Sequence, residues 1–163
     1  MRSVSHLRRI LVPLLSADTL TDRVVALATQ MSKYRDGYVE LLIVLEVPFW
    51  LPLDARVEED EKRALELLDR AEVIAKRYIT KVTKRILKAR QAGVAIVREA
   101  EEQAIDMILI ANSPARIRGG GYQLDPAVEY VLKNAPCEVL VLSAGQATII
   151  TQERENAKES SVT

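Results

Sequence analysis

Cysteine and histidine are almost absent from this sequence of 163 residues. Cys137 is the single cysteine and His6 the single histidine, so neither an intramolecular disulfide nor a zinc site of Cys and His ligands can form. A disulfide-stabilised secreted domain is thereby excluded. A chain that needs no disulfide suits a reducing compartment, and we expect the protein in the cytoplasm.

The sequence also lacks net charge and long apolar segments. Lys and Arg number 23 and Asp and Glu number 23, so no long-range field attracts nucleic acid or an anionic membrane surface. Glu40 and Glu46 interrupt the longest apolar candidate, which falls short of the about 20 residues that span a bilayer. We therefore expect a soluble protein with no nucleic-acid partner and no membrane insertion. The 48% hydrophobic content suffices for the core of one domain.

No recognisable catalytic set of residues is present. Catalysis needs a nucleophile with a base, a pair of carboxylates in a pocket, or a metal, and this sequence indicates none of them. His6 precedes the first predicted strand in a polar segment and is interpreted as solvated. Cys137 opens the last predicted strand and is interpreted as a small core residue, with redox sensing as the alternative. We expect a protein that is not an enzyme.

Apolar runs alternate with segments of helical period along the chain. Strands are predicted at 9–15, 38–47, 83–89, 106–111 and 137–143. Helices are predicted at 54–78, 92–103 and 126–134, with an earlier helix capped by Thr19 or Thr21 and closed by Asp36 and Gly37. This alternation is typical of an α/β fold in which helices cover both faces of a parallel sheet. We assign residues 1–148 to this domain and the polar residues 149–163 to a disordered tail.

An aromatic loop follows the second predicted strand. Phe49, Trp50, Leu51 and Leu53 lie there beside two prolines. We expect these side chains to pack against the body of the fold. If they are exposed instead, they form a patch for binding a partner.

The loop at 112–125 is rich in glycine and arginine. It contains Arg116, Arg118 and the run Gly119, Gly120 and Gly121, and we interpret it as a flexible connector. The alternative is a cradle in which two cations and a row of backbone N–H groups hold an anion. Asp125 as N-cap and Pro126 as first residue begin the helix that follows.

Three segments resemble the universal stress protein family: RILVP at 9–13, the helix leading into DMILIA at 106–111, and NAPCEVLVL at 134–142. The resemblance covers residues 8–143. It implies an open, doubly wound, five-stranded parallel sheet of order 3-2-1-4-5 with helices on both faces, similar to the adenine-nucleotide alpha-hydrolases. It also implies a homodimer through the last strand, whose apolar edge needs a partner strand. The pairing residues would be Val139, Leu140, Val141 and Leu142.

The resemblance places a nucleotide crevice at the carboxyl ends of the first and fourth strands, where the strand order reverses. ATP-binding members carry an aspartate at the end of the first strand, whereas this sequence has Leu15. Those members also carry a G-x2-G-x9-G-(S/T) loop. Its four fixed positions correspond here to Asn112, Ala115, Asp125 and Pro126, none of which matches. The phosphate end of the crevice is therefore predicted to be lost, since Asp125 adds negative charge and Pro126 lacks an N–H.

Two main hypotheses follow from the resemblance. The first is a non-catalytic stress-response or regulatory module without a cofactor, which acts through dimerisation and an unidentified protein partner. The alternative is a sensor that binds ATP, AMP or another adenine compound through a divergent loop. Its binding residues would be Leu15, Ser16, Val44, Asn112, Ser113, Arg116, Arg118, Gly119, Gly120 and Gly121. A third hypothesis is a separate cytosolic regulator similar to the stress-protein modules that are attached to transporters.

Overall fold

In the part of the chain that the structure describes, five strands and four helices alternate, as the sequence pattern predicts. The computed structural model describes residues 8–33, 36–78, 81–113 and 123–143. The elements are β1 (Arg9–Pro13), α1 (Thr19–Lys33), β2 (Tyr38–Glu46), α2 (Glu58–Ala75), β3 (Val82–Ala89), α3 (Ala92–Glu102), β4 (Met107–Asn112), α4 (Pro126–Asn134) and β5 (Glu138–Ser143). The predicted tail at 149–163 lies outside the described residues, as do His6, Arg116, Arg118 and the three glycines at 119–121.

All five strands form one parallel sheet of order β3-β2-β1-β4-β5, which confirms the expected topology. Side chains alternate between its faces: Ile10 and Val12 pack in one core cluster, and Leu11 packs in the other. Buried residues of α1 and α2 join the first cluster, and buried residues of α3 and α4 join the second. Helices thus cover both faces, and the buried strands read as continuous apolar runs for that reason.

The two edges of the sheet differ in chemistry. β3 exposes Thr83, Lys84 and Arg85 at one edge, and Lys84 forms an ion pair with Asp69 at 2.9 Å. β5 forms the other edge with the sequence EVLVLS, in which Leu140 is 41% exposed. Charged side chains discourage the addition of another strand, whereas an apolar edge does not.

The ends of α1 show why this helix lies where it does. The carboxylate of Asp18 accepts a hydrogen bond from the backbone N–H of Thr21 at 2.8 Å. The expected cap at Thr19 or Thr21 is therefore wrong, because both residues lie inside the first turn and Asp18 precedes them. At the other end, the Gly37 N–H donates to the Ser32 carbonyl at 3.1 Å. A Cβ at Gly37 would lie 2.7 Å from that carbonyl oxygen, so glycine is required there.

The other helices start at residues set by their surroundings. α2 begins at Glu58, four residues later than the sequence predicts, because residues 52–55 form a turn closed by the Ala55 N–H and the Pro52 carbonyl. α4 begins at Pro126 with Asp125 as its N-cap, as predicted. Among the described helices none has both the length and the apolar character that crossing a bilayer requires.

Candidate functional site

A cleft of about 490 Å³ opens at the carboxyl ends of β1 and β2. The starts of α2, α3 and α4 complete its walls. Its lining residues are Leu14, Leu15, Ile43, Val44, Leu45, Glu46, Asp60, Arg63, Ala64, Leu67, Ala92, Asp125, Pro126 and Ala127. The cleft lies beside β1, where the strand order reverses, and this is where open α/β sheets bind ligands.

The structure brings together only part of the predicted site. Leu15 and Val44 line the cleft, and Ser16, Asn112 and Ser113 do not. The remaining candidates, in the loop at 116–121, lie outside the described residues. The apolar end of the cleft therefore contains Leu15 and Val44, whereas Ser16, Asn112 and Ser113 form hydrogen bonds elsewhere within the chain.

Ser16 and Ser113 both bind Asp18, a residue that the sequence analysis did not select. Their Oγ atoms donate to Asp18 Oδ2 at 2.7 and 2.5 Å. Burial of the carboxyl opposes its charge, but these hydrogen bonds and those from Thr21 outweigh burial and lower the pKa of Asp18 to about 2. Asp18 is thus an ionised carboxylate that joins the ends of β1 and β4 to the start of α1. The spacing of Asp18 and Thr21, which is typical of a helix cap, was the available signal.

Asn112 closes the loop that leads to α4. Its side chain is fully buried, with Oδ1 accepting from the Asp125 N–H at 2.8 Å and Nδ2 donating to the Gln123 carbonyl at 3.3 Å. The resemblance aligns Asn112 with the first glycine of the phosphate loop of ATP-binding members. A side chain therefore fills space and bonds backbone groups at a position where a glycine would leave both open.

The start of α4 is occupied by the chain's own carboxylate. Asp125 Oδ1 accepts from the Ala127 N–H at 2.8 Å, and Pro126 has no N–H to offer. Free N–H groups at a helix start are what usually bind an anion. In α4 one of these groups is already bonded to a negative charge and another is missing.

Among the described lining residues, charge in the cleft is mainly negative. Glu46, Asp60 and Asp125 line it, and Arg63 is the one basic side chain among these described residues. Arg63 also forms an ion pair with Glu59 at 3.1 Å. Glu46 Oε1 accepts from the Ala92 N–H at 2.8 Å, which caps α3 with a carboxylate as well. The field of these groups disfavours a polyphosphate and leaves the apolar end as the better part for binding.

A buried pair of carboxyl groups lies away from the cleft. Glu40 on β2 and Glu99 on α3 are both almost fully buried. The Tyr38 hydroxyl donates to Glu40 Oε2 at 2.8 Å, and the Arg85 guanidinium lies 3.1 Å from Glu99 Oε1. Burial, together with a hydrogen bond and the negative charge from Glu40, raises the pKa of Glu99 to about 7. In the sequence Glu40 stands out only as a charged residue that interrupts an apolar run, and that interruption was the signal.

The aromatic loop is exposed, so the expectation that it packs against the fold is wrong. Phe49 is 80% and Trp50 is 83% exposed. The Leu51 N–H donates to the Pro48 carbonyl at 3.0 Å, which places Phe49 and Trp50 at the two central positions of a turn. Central turn residues project away from the body of a protein, and neither ring reaches the core.

Two further features bear on catalysis. Burial raises the pKa of the Cys137 thiol, which disfavours the thiolate that a nucleophile requires. In the part of the chain that the structure describes, no three His, Cys, Asp or Glu side chains are grouped so as to hold a metal ion.

The comparisons with known proteins agree with this architecture. The model of the universal stress protein family matches residues 6–143. A search of curated proteins finds no match.

Solved structures with a similar fold include proteins from Archaeoglobus fulgidus and Arabidopsis thaliana. A universal stress protein from Archaeoglobus fulgidus is 19% identical, with a TM-score of 0.67 over 82% of this chain and 92% of that one. A complex of the universal stress protein from Archaeoglobus fulgidus with dAMP is 21% identical, with a TM-score of 0.65 over 82% of this chain and 96% of that one. An Arabidopsis thaliana family protein with AMP bound is 15% identical, with a TM-score of 0.57 over 85% of this chain and 92% of that one.

At these identities the solved structures establish the fold, and the family match extends over most of the sequence. The chain belongs to the universal stress protein family.

Proposed function

We propose that this protein is a non-catalytic regulatory module that works in the cytoplasm through dimerisation and a protein partner, without ATP as a switch. The observation that carries the proposal is the start of α4. The Asp125 carboxylate there bonds the Ala127 N–H that a phosphate would need, and Pro126 removes another donor. A triphosphate would have to displace a bonded carboxylate and approach its negative charge.

Other residues of the cleft support the same proposal. Leu15 cannot bond a nucleoside hydroxyl, and burying that hydroxyl without a partner costs about 1–3 kcal/mol. Asn112 uses its side chain to hold the Asp125 N–H and the Gln123 carbonyl. Among the lining residues that the structure describes, there are three carboxylates and one guanidinium. Each of these features opposes the binding of ATP.

Dimerisation is supported by β5. This strand pairs with β4 on one side and forms the sheet edge on the other. Val139 and Val141 pack toward the core, and Leu140 stays partly exposed. Pairing with β5 of a second chain would bond the open backbone groups and cover the leucine.

Calorimetric titration of nucleotide-free protein with ATP, ADP and AMP tests the proposal. We expect no binding heat up to millimolar nucleotide. The double substitution Asp125→Gly with Pro126→Ser restores the family's last two motif residues and frees N–H groups of α4. This variant should gain detectable ATP binding, because the freed N–H groups can bond phosphate oxygens. It should also stay folded, because glycine at an N-cap costs only a few tenths of a kcal/mol of stability.

One result would overturn the loss of the ATP switch. Binding of ATP to the wild-type protein at micromolar affinity, abolished by Arg116→Ala, would identify the glycine-arginine loop as a divergent phosphate site.

A second candidate function is an adenine-nucleotide sensor. It is favoured by the apolar end of the cleft, where Leu15 and Val44 remain available, and by the relatives whose structures contain dAMP or AMP. A nucleoside monophosphate needs fewer phosphate contacts than ATP. Heat of binding with AMP alone would favour this candidate over the first.

A further inference from the structure

A second concavity, of about 530 Å³, lies between β3 and α3 and shares no lining residue with the cleft. Its walls combine aliphatic side chains with long charged ones. The lining residues are Leu53, Arg85, Leu87, Lys88, Ala89, Arg90, Gln91, Val94, Ala95, Arg98, Glu99 and Glu102. We call this concavity the β3–α3 groove.

The groove carries an excess of positive charge. Four of its lining residues are basic and two are acidic, the reverse of the balance in the cleft. Lys88 and Arg85 have acidic partners, at 2.6 Å from Glu61 and 3.1 Å from Glu99. Arg90 donates only to backbone carbonyls, and Arg98 contacts no acidic side chain within the described ranges. Arg90 and Arg98 therefore keep charges that a carboxylate could neutralise.

The exposed aromatic turn stands beside this groove. Its loop supplies Leu53 to the groove wall, and the Arg90 guanidinium lies 5.5 Å from the centre of the Phe49 ring. Arg90 donates to the Val47 carbonyl at 3.0 Å and also to the Pro48 carbonyl. Lys88 Nζ donates to the Ala55 carbonyl at 2.9 Å. Basic side chains from the end of β3 thus hold both ends of the aromatic loop.

An aromatic side chain held in water by such anchors is suited to binding. The loop is ordered before a partner arrives, so little conformational entropy is lost on contact. Tryptophan and arginine are also the residues that contribute most to binding energy at protein interfaces. Arg90 and Arg98 both line the groove, and Trp50 follows Phe49 in the turn that Arg90 contacts.

We propose that the surface formed by Phe49, Trp50, Leu53, Arg90 and Arg98, the aromatic-basic surface, binds an acidic peptide segment that carries apolar side chains. Its carboxylates would pair with the two arginines, and an apolar side chain would enter the groove. The inference rests on the proposed docking to a protein partner and names the surface and the chemistry of that partner.

The shape and charge of the surface select this occupant. A small organic anion would fill the groove without touching the aromatic turn, which lies outside the concavity. A second copy of the chain would bring the same basic side chains together across a twofold axis, which is unfavourable. An extended acidic segment can contact the groove and the turn at once.

The proposal is tested by selecting peptides that bind this protein from a displayed library of random sequences. The enriched peptides are then synthesised and used as probes. Trp50 is the single tryptophan of the chain, so its emission reports whether the turn is covered. We expect enriched peptides to be acidic with apolar residues, to shift Trp50 emission to shorter wavelength, and to protect it from iodide quenching. Arg98→Glu should weaken their binding about tenfold or more.

Arg77→Glu is the matched control. Arg77 is exposed near the end of α2, on the other face of the sheet, and has no acidic partner among the described side chains. Reversing its charge should change the affinity by no more than about twofold. Equal losses in the two variants would mean that only the overall charge matters, which would overturn the assigned surface.

Other outcomes separate this inference from the proposed function. Enriched peptides that are not acidic, or that leave Trp50 emission unchanged, would contradict the assignment of the aromatic-basic surface. The proposed function would survive that result, because a protein partner could still bind to another surface. Displacement of the peptides by citrate at the same affinity would make the groove a site for small anions. A change of oligomeric state in Trp50→Ser would identify a second copy as the occupant. The calorimetric titration with nucleotides does not involve this surface. Its outcome is therefore independent of the outcome of the peptide-binding test.

Discussion

Three polar side chains near the cleft already hold the groups that a bound anion would need. The Asp18 carboxylate accepts hydrogen bonds from the hydroxyl groups of Ser16 and Ser113. The side chains of Asn112 and Asp125 accept hydrogen bonds from backbone N–H groups at the start of α4. Each of these contacts lies within the chain and needs no ligand. At the scale of single residues, these polar groups are satisfied by contacts within the chain, which supports the proposal that ATP does not bind here.

The carboxyl pair gives the first prediction, which concerns pH. Glu99 faces Glu40 from β2, Arg85 from β3 and Glu102 from its own helix, and Glu40 accepts a hydrogen bond from the Tyr38 hydroxyl. Because the folded-state pKa of Glu99 is raised from 4.5 to about 7, the folded protein keeps a proton that the unfolded chain loses. This stabilisation is full below pH 4.5 and is lost as the pH rises through about 7, by up to about 3 kcal/mol.

Glu99→Gln isolates this effect, since glutamine imitates the protonated acid. Urea unfolding at several pH values between about 5 and about 8 should show a smaller loss of stability with rising pH in the variant than in the wild type. Glu101→Gln, a change of an exposed residue on the same helix that is not among the groups acting on Glu99, serves as the control. An identical pH dependence in wild type and Glu99→Gln would contradict the assignment.

At the scale of elements, α3 is positioned by a close contact at its start and a strained residue at its end. A Cβ at Gly93 would lie 2.7 Å from Tyr130 Cβ on α4, so the two helices approach each other through a glycine. Ala104, just beyond α3, has a φ of 49° in the left-handed region. Alanine tolerates that region poorly, whereas glycine adopts it freely.

The second prediction is a pair of substitutions with opposite signs. Ala104→Gly should stabilise the protein by about 0.5–1 kcal/mol, because it relieves the left-handed strain after the helix. Gly93→Ala should destabilise it by about 1–3 kcal/mol, because the added methyl group must push α4 away. Thermal and urea unfolding measure both changes. Stabilisation by Gly93→Ala would show that α3 and α4 have room to separate.

The elements also show what the sequence could and could not predict. The strands and the cap of α4 were predictable, because buried apolar runs and the Asp125-Pro126 pair are local signals. The late start of α2 and the exposure of Phe49 were not. Both depend on Lys88 and Arg90, which reach the aromatic loop from β3, more than 30 residues further along the chain. The family resemblance supplied the strand order and the position of the cleft, but not the internal bonds of Asn112.

At the scale of the whole molecule, a third prediction concerns dimerisation through β5. Leu140→Lys would place a charge near the middle of the proposed interface, close to its copy in the partner, and should convert the dimer to a monomer. Light scattering at micromolar concentration measures the mass. Leu132→Lys on α4 is the matched control, since Leu132 is 47% exposed and Leu140 is 41% exposed. A wild-type monomer at that concentration would contradict the dimer itself.

The unequal edges of the sheet limit how far such an assembly can grow. A sheet with two receptive edges could add chains at both ends and extend into a fibre. Here the outer strand at the β3 edge exposes Lys84 and Arg85, which oppose strand addition. Pairing through β5 would use the one receptive edge of each chain and close around a twofold axis. Assembly would then stop at the dimer, because the exposed charged residues of β3 would prevent a further chain from adding to the other edge.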